Sequence, residues 1–300
     1  MSGATRRSPI WVPEPSAVSS DMSMVTLITG AGGMLGRDLA RVLPPDAVAL
    51  GSDKLDVTDA EQVRRALREY RPQVVFHTAA YTDVDGCELD PERAFRVNAL
   101  GTRNVAQAAE AAGASVVYIS TDYVFDGVKS EPYIEFDAAN PLGVYGKSKL
   151  AGEQFVRELC RCHYIIRTAW LFGKHGKNFV RTMMRLGRER EEIRVVSDQV
   201  GSPTYTRHLA GKVVEIVSSG RYGTYHVTNS GCCSRFEFAR AILRRTGSGA
   251  RLVPVSTSEY PVPARRPKNG VLRNFVLQLE QMEPLGPWQD ALDEYLAELP

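Results

Sequence analysis

Tyr145 and Lys149 are residues whose types and spacing could support proton transfer. Side chains four residues apart project from the same face of a helix, one turn from each other. A phenol can give a proton to a carbonyl oxygen, and a neighbouring ammonium favours the phenolate. We therefore expect Lys149 to lower the pKa of Tyr145 from its ordinary value of about 10. The same spacing also occurs on helix surfaces, where a tyrosine merely packs on a lysine stem.

A glycine-rich turn far upstream makes the pair more informative. An apolar, β-branched run at 25–29 is followed at once by Gly30, Gly33 and Gly36 and then by a helical pattern. In a dinucleotide-binding unit such glycines let the backbone approach a pyrophosphate, and the helix N-terminus adds amide donors. A glycine turn with a purely structural role is the alternative. The order of strand, turn and helix favours a nicotinamide cofactor.

The third motif is Thr121, which follows a further predicted strand at 115–120. Ligands of open α/β sheets bind where the strands end. There a threonine hydroxyl can hydrogen-bond a substrate carbonyl, Tyr145 can protonate its oxygen, and Lys149 can hold the ribose of the nicotinamide that supplies hydride. The three motifs in this order predict an NAD(P)H-dependent reductase with Thr121, Tyr145 and Lys149 as catalytic residues.

The elements that must position these residues alternate between strand and helix as far as residue 172. This alternation predicts the α/β class, a Rossmann-type doubly wound parallel sheet. Residues 1–23 are rich in proline and serine and are expected to form a disordered tail, and 24–172 the NAD(P)-binding domain. Residues 173–300 are expected to form a smaller, mostly helical substrate-binding region, with the return of some segments to the first domain left open. Predicted strands lie at 25–29, 47–50, 74–80, 115–120 and 164–168, and a long helix at 91–112.

The composition excludes several classes of function. The net charge of +2 gives no electrostatic reason to expect nucleic acid or an anionic membrane as a partner. No apolar run reaches the roughly 18 residues of a membrane span, and the five cysteines lack the spacing of a zinc or redox motif. We expect a cytoplasmic protein with reduced thiols and no metal site of its own.

The choice of cofactor depends on the residues after the second predicted strand. An acidic residue directly after this strand commonly holds the ribose hydroxyls of NAD. Here Leu50 is followed by glycine and serine before Asp53 and Lys54. Lys54 and Arg37 could instead meet a 2′-phosphate, so NADPH is the expected cofactor, with NADH possible through Asp53.

Longer motifs are similar to those of the extended short-chain dehydrogenase/reductases and, more narrowly, of the dTDP-4-dehydrorhamnose reductase family. The matching stretches lie at 79–85, 120–125, 144–153, 167–172, 178–179, 198–204 and 264–267, so the resemblance runs from Met24 to the C-terminus. It implies reduction of the C4 ketone of dTDP-4-dehydro-β-L-rhamnose to dTDP-L-rhamnose by a monomer or homodimer. Magnesium at a dimer interface is a feature of the family, but no ligands for it can be identified in this chain.

The resemblance also implies binding roles for individual residues. The cofactor residues would be Gly30, Gly33, Met34, Leu35 and Gly36 at the pyrophosphate, Asp56 and Val57 at the adenine, and Ala79, Ala80 and Tyr81 with Tyr145 and Lys149 at the inner half. The substrate residues would be Thr121, Asp122, Trp170, Asn178 and Arg266. Trp170 could form an apolar wall for the sugar or base, or could simply be part of the core.

Two other functions stay open. A relative of this reductase serves as a non-catalytic, NADP-binding regulatory partner of methionine adenosyltransferase, although intact Thr121, Tyr145 and Lys149 favour an enzyme. The other rival is a nucleotide-sugar epimerase or dehydratase. Dehydratases of the superfamily carry two acids after the catalytic threonine, whereas here Asp122 is followed by Tyr123.

Overall fold

A computed structural model describes residues 25–299, so the predicted tail at 1–23 lies outside the described residues. Its main feature is a six-stranded, all-parallel sheet in the strand order β2-β1-β3-β4-β5-β10. The described strands are β1 Thr26–Thr29, β2 Val48–Leu50, β3 Val74–His77, β4 Ser115–Thr121, β5 His163–Thr168, β6 Leu171–Phe172, β7 Glu192–Val196, β8 Val200–Gly201, β9 Thr204–Tyr205, β10 Gly223–His226, β11 Cys233–Ser234, β12 Arg251–Val255 and β13 Asn269–Gly270. This arrangement confirms the predicted doubly wound α/β fold.

Helices cover both faces of the sheet. The described α-helices are α1 Met34–Val42, α2 Ala60–Tyr70, α3 Val84–Leu89, α4 Pro91–Phe95, α5 Thr102–Ala112, α6 Val144–Leu159, α7 Phe179–Glu189, α8 Thr206–Ser218, α9 Arg235–Arg245, α10 Phe275–Leu279 and α11 Trp288–Ala297. Short 3₁₀ turns lie at Asp122–Val124 and Thr257–Glu259.

Alternation along the strands divides the core into two layers. Successive side chains of a strand point to opposite faces, so Leu27 and Ile28 of β1 join different clusters. Leu27 packs under α2, α5 and α6, whereas Ile28 packs under α1, α8 and α10. Both faces of the parallel sheet are therefore dry, and the carboxyl ends of its strands are left to form a ligand site.

The chain returns to this sheet after residue 172. Helix α8 packs against α1, and its Leu209, Val213 and Ile216 are fully buried in the layer that contains Ile28. Strand β10 then pairs with β5 as the edge of the main sheet, with Tyr225 opposite Ile166. A cofactor domain made of 24–172 alone would lack this edge strand and the two covering helices α8 and α10.

The long helix predicted over 91–112 is interrupted. Between α4 and α5, the segment Arg96–Gly101 has π-helical hydrogen bonding, a form that often marks functional sites. The carbonyl of Asn98 accepts a bond from the Thr102 hydroxyl at 2.7 Å. A Cβ added at Gly101 would lie 2.9 Å from the side chain of Val57. The wider turn therefore brings the helix backbone close to this buried side chain. The strand predicted at 74–80 is also shorter and ends at His77.

The remaining segments form a smaller body beside the carboxyl ends of the sheet. Helices α7, α9 and α11 enclose an aromatic cluster around Phe172, Phe238 and Tyr295. Strands β7 and β12 pair in parallel, and β8 pairs with both β11 and β13. This body is mostly helical, as the sequence predicts, and it closes one side of the cavity described next.

Candidate active site

A cavity of about 800 Å³ lies at the carboxyl ends of the parallel strands, between the sheet and the smaller body. The glycine turn, the end of β4 and the first turns of α6 form its sheet side, and α7, β7 and α9 form the opposite side. The sequence-predicted residues that line it are Gly33, Met34, Leu35, Gly36, Ala80, Thr121, Asp122, Tyr145, Lys149, Trp170 and Arg266.

The glycine turn suits a pyrophosphate. Gly30 has a φ of +68°, and a Cβ there would stand 2.5 Å from the amide nitrogen of Ala79. Gly33 is the N-cap of α1 without a side-chain cap, and the first turn of α1 contains no acidic residue. A Cβ added at Gly32 would have no other atom within 4 Å, so the space beside this residue is open. The amides and positive end of α1 therefore face open space, as a bound dinucleotide requires.

Thr121 and Tyr145 meet at the centre of the cavity. Thr121 is the last residue of β4, and its hydroxyl donates to Asp122 Oδ1 at 2.9 Å while accepting the amide of Tyr123 at 3.2 Å. Tyr145 lies in the first turn of α6, with its ring edge-on to Tyr123 at 5.5 Å between centroids. A hydrogen bond with the Thr121 hydroxyl also acts to lower the pKa of the Tyr145 phenol, so the two hydroxyl groups lie next to each other.

The expected lowering of the Tyr145 pKa by Lys149 is wrong. Burial, followed by the Asp122 carboxylate, raises the pKa of Tyr145. Lys149 Nζ lies 4.1 Å from the ring centroid of Tyr118, and burial lowers the pKa of this amine to about 7 against the opposing effect of Glu153. A lysine that is itself close to neutral cannot supply the full charge that the expectation assumed.

Lys149 is followed one turn later by the buried carboxylate of Glu153. Arg167 holds this carboxylate with two bonds, Nε to Oε1 at 2.9 Å and Nη2 to Oε2 at 2.8 Å. Ser120 and Arg157 donate to it as well, at 2.6 and 2.8 Å. Because Tyr145, Lys149 and Glu153 are spaced four apart, α6 presents all three along one face.

Asp122 is an acidic group that lines the cavity itself. It is 2 % exposed, and its Oδ2 has no hydrogen-bond partner among the described residues. A Cβ on Gly270 would lie 2.7 Å from this oxygen, so the backbone of β13 packs closely over it. Burial raises the pKa of Asp122 to about 7, against the effect of the Thr121 hydroxyl. The carboxyl can therefore change its protonation near neutral pH.

Trp170 lines the cavity and also packs against two hydrophobic clusters. Its φ of +47° is unusual for a bulky residue, and its indole packs so closely on Gly201 that a Cβ there would lie 2.4 Å away. The guanidinium of Arg235 covers the indole at 3.5 Å from the ring centroid. The tryptophan therefore lies between the backbone of β8 and a cation at the start of α9.

Arg266 lines the cavity but is already paired. Its Nη2 donates to Asp85 Oδ2 at 2.7 Å, and its Nη1 donates to the Ala264 carbonyl at 3.2 Å. Asp85 also accepts the Ala264 amide at 3.1 Å, so α3 holds the loop that contains Arg266. The neighbouring Arg265 is exposed.

Some predicted residues lie away from this cavity. Asn178 is the N-cap of α7, accepting the Arg181 amide at 3.0 Å and donating to the Gly173 carbonyl at 2.8 Å, so both ends of its amide are used. Asp56 lines a separate cavity of about 400 Å³, and Val57 is buried behind it. A substrate contact for Asn178 and adenine contacts for Asp56 and Val57 stay predictions.

Asn98 is an important residue that the sequence does not reveal. Its side chain accepts the Tyr81 amide at 2.8 Å and donates to the Tyr81 carbonyl and to Ser148 Oγ, both at 3.0 Å. Ser148 donates in turn to the Tyr145 carbonyl at 2.8 Å. The π-helical turn thus joins the segment predicted to hold the cofactor to the helix that carries Tyr145.

Glu88 is a second residue of this kind. Its Oε1 accepts the amide of Val144 at 2.7 Å and so caps the first turn of α6, whose own N-cap, Gly143, has no side chain to do so. A Cβ at Gly143 would lie 2.5 Å from this oxygen. The 56-residue separation explains why no local signal reveals the contact.

Neither a metal-ligand cluster nor a membrane-spanning helix occurs within residues 25–299. No group of three or more histidine, cysteine, aspartate or glutamate side chains there is arranged to hold a metal ion. Nor is any helix within that part of the chain both long and apolar enough to cross a membrane.

Comparison with known proteins agrees with this geometry. The model of the RmlD substrate binding domain matches residues 24–300. The spore coat polysaccharide biosynthesis protein SpsK of Bacillus subtilis is 42% identical over 275 residues, which are 91% of this chain and 96% of that protein. A dTDP-4-dehydrorhamnose reductase of Aggregatibacter actinomycetemcomitans is 40% identical, covering 89% and 96% of the two chains.

A solved structure supports the same relationship. The dTDP-4-dehydrorhamnose reductase (rfbD) of Bacillus anthracis, in complex with NADP, superposes with a TM-score of 0.90 at 44% identity. The match covers 93% of this chain and 100% of that one. The UDP-glucose 4-epimerase of Thermus thermophilus, at 23% identity and a TM-score of 0.77, shares the fold alone. With its glycine turn, its paired Thr121 and Tyr145 and a match over residues 24–300, the chain belongs to the RmlD substrate-binding family.

Proposed function

We propose that the protein reduces the C4 ketone of dTDP-4-dehydro-β-L-rhamnose to dTDP-L-rhamnose with a nicotinamide cofactor. The observation that carries the proposal is the convergence of Thr121, Tyr145 and Lys149 on one cavity that also opens onto the N-terminus of α1. Relatives at about 40% identity are dTDP-4-dehydrorhamnose reductases. Within the proposed reaction the substrate is a nucleotide-sugar, with its ketone between β4 and α6.

The residues of the cavity suit ketone reduction. The cofactor supplies hydride to the carbonyl carbon, and the oxygen must then gain one proton to become the alcohol. The raised pKa keeps the Tyr145 phenol protonated at neutral pH, so it can give that proton. Thr121 is placed to hydrogen-bond the same oxygen, and Lys149 lies one turn beyond Tyr145, where the inner ribose would bind.

The cofactor is proposed to be NADPH. Arg37 Nε donates to the carbonyl of Gly32 at 3.1 Å, which holds the guanidinium beside the glycine turn, and Lys54 is exposed after β2. The NADP bound in the Bacillus anthracis structure supports this choice. Comparing kcat/KM for the two cofactors tests it: NADPH should be used at least as well as NADH, and a tenfold preference for NADH would favour Asp53 as a ribose ligand.

The decisive experiment is turnover. dTDP-glucose carried through the preceding enzymes provides the 4-keto sugar, and NADPH oxidation is followed with product analysis for dTDP-L-rhamnose. A regulatory subunit would bind NADPH without consuming it. An epimerase or dehydratase would convert the sugar without net oxidation of NADPH; against the dehydratase, the position after Asp122 is occupied by Tyr123, whose ring contacts Tyr145.

A further inference from the structure

Arg235 is a cation in the cavity wall for which the known motifs provide no role. It follows the capping box of Ser234 and Glu237 at the start of α9, and the capped turn directs it into the cavity. Its guanidinium carbon lies 3.5 Å from the indole centroid of Trp170 and 5.2 Å from that of the Phe179 ring. Its side chain makes no hydrogen bond or ion pair with any residue in 25–299.

This environment differs from that of Arg266, the arginine that the resemblance assigns to the substrate. Arg266 has its two terminal nitrogens bonded to Asp85 and Ala264. Arg235 has aromatic contacts instead, and burial lowers its pKa against the opposing effects of Tyr123 and Asp122. Stacking against a ring covers the face of a guanidinium and leaves the N–H groups at its edge free to donate. A guanidinium held in this way is prepared for an anion that the isolated chain does not supply.

Asp122 is the carboxylate that could be the missing partner, but the geometry argues against it. The charged and titratable groups that act on Arg235 are Asp122 and Tyr123 after β4, Arg266 on the opposite loop and Cys233 before α9. Asp122 accepts from Thr121, and its other oxygen has no hydrogen-bond partner among the described residues. Arg235 therefore influences Asp122 through space without bonding it.

We propose that Arg235 binds the diphosphate of the nucleotide-sugar, with Trp170 holding the guanidinium plane. The inference rests on the proposed function, since it assigns the site to that substrate. The planar fork of arginine matches phosphate oxygens in a bidentate manner, and the diphosphate supplies the anion that the site lacks. Arg235 is a specificity residue for the diphosphate group, and the ketone chemistry belongs to Thr121 and Tyr145.

Calorimetric binding of dTDP and of thymidine to the full-length protein tests the assignment. Arg235→Gln should weaken dTDP binding by about tenfold or more, because a hydrogen bond to a charged group is lost. Thymidine and NADPH, which do not use this group, should bind within about twofold of wild type. Arg235→Met keeps an apolar side chain on the indole and should show the same loss, which excludes a mere packing role.

Arg240→Gln is the matched control. Arg240 lies on the same helix with its guanidinium 5.9 Å from the Phe236 ring centroid, but it is exposed and does not line the cavity. Its loss should leave dTDP affinity unchanged. Melting temperatures of all three variants report whether the fold is intact, and Arg235→Met serves if Arg235→Gln is unstable.

Three outcomes would overturn the inference. The first is a dTDP affinity within twofold of wild type in both Arg235 variants. The second is a loss of thymidine affinity equal to the loss of dTDP affinity. The third is a change confined to the pH profile of kcat, which would make Arg235 the counter-ion of Asp122.

Failure of the proposed function gives a different result. If wild type binds dTDP through Arg235 but does not reduce the 4-keto sugar, the diphosphate site stands and the reaction falls. If turnover is normal and the variants bind dTDP normally, the reaction stands and the diphosphate site falls.

Discussion

At the residue scale, burial moves Tyr145 and Lys149 toward their neutral forms. The phenol has a raised pKa, and the amine has a pKa of about 7 instead of its ordinary 10.5. A neutral phenol is the form that gives a proton to a developing alkoxide, so no lowering of its pKa is needed for reduction. Lys149 is poised to gain or lose charge with small changes in its surroundings, such as the arrival of the cofactor's anionic groups.

The first residue-scale prediction concerns the proton donor. Tyr145→Phe should lower kcat by about 10²- to 10⁴-fold, because general acid catalysis contributes that much, while NADPH affinity stays close to wild type. Steady-state kinetics and cofactor fluorescence measure the two effects. Tyr123→Phe, which removes the neighbouring hydroxyl, is the comparison. Retention of more than about a tenth of kcat in Tyr145→Phe would show that another group donates the proton.

The second residue-scale prediction uses stability, which does not depend on turnover. In the unfolded chain Lys149 has its ordinary pKa of 10.5 and is charged below that pH. In the folded protein burial lowers its pKa to about 7, so at lower pH folding must bury a charge, which costs free energy. This cost is full below pH 7 and declines as the pH rises from 7 to 10.5. Lys149→Met should therefore raise the melting temperature more at pH 6 than at pH 9.

Lys147→Met, on the exposed side of the same helix, is the control and should show no such pH dependence. The groups that act on Lys149 or contact it are His77 on β3, Tyr118 on β4 and Glu153 on α6. Burial and Lys149 lower the pKa of His77 to about 3, so this residue stays neutral over the range tested. A gain that is equal at both pH values would contradict the lowered pKa of Lys149.

At the scale of elements, the short helix α3 links three parts of the site. Its Asp85 holds Arg266 and the loop at 264–266, and its Glu88 caps α6 beside Tyr145. It follows directly after the segment of Tyr81, which Asn98 holds in place. We infer that α3 sets the distance between α6 and the loop at 264–266.

The element-scale prediction is the loss of this cap. Glu88→Ala should lower the free energy of unfolding by about 1 kcal/mol, the usual effect of removing an N-terminal cap, and should reduce kcat several-fold through the placement of Tyr145. Glu88→Gln keeps an acceptor oxygen and should recover most of both. Denaturant unfolding and kinetics measure these changes.

Glu92→Ala is the matched control, because the Glu92 carboxylate is largely exposed and forms only a long surface ion pair, with its Oε2 3.8 Å from Arg96 Nη2. Such pairs contribute little to stability. Equal effects of Glu88→Ala and Glu92→Ala would mean that the cap does not position the catalytic helix.

At the scale of the whole molecule, residues from before and after position 172 contribute to the same layer of the core. The layer under α1 contains Leu209, Val213 and Ile216 from α8 and Tyr225 from β10, all contributed after residue 172. The fragment 24–172 is therefore predicted to lack a stable fold, because it would expose this layer and an unpaired edge of β5. Circular dichroism melting of the fragment against the full chain tests this, and a cooperative transition of the fragment would show that the cofactor domain is independent.

The sequence alone was sufficient for features that depend on local geometry. The glycine turn predicts the helix after it, and spacing by four places Tyr145 and Lys149 on one face because every α-helix has the same pitch. The alternation of strands and helices predicts the parallel sheet. It does not predict that β10 joins this sheet, because β10 pairs with β5, which is far from it along the chain.

Only the tertiary structure decided the environment of these residues. Asn98 and Ser148, Glu88 and Val144, and Asp85 and Arg266 are 50 to 181 residues apart, and no periodic pattern encodes such contacts. The pKa of Tyr145 followed burial and Asp122, not the lysine on its own helix. Arg235 is a candidate phosphate-binding residue only because the packing leaves its guanidinium without a hydrogen bond or ion pair to any residue in 25–299. Desolvation depends on what covers a group, and that is set by the whole fold, whereas the spacing of residues on a helix is set by the chain itself.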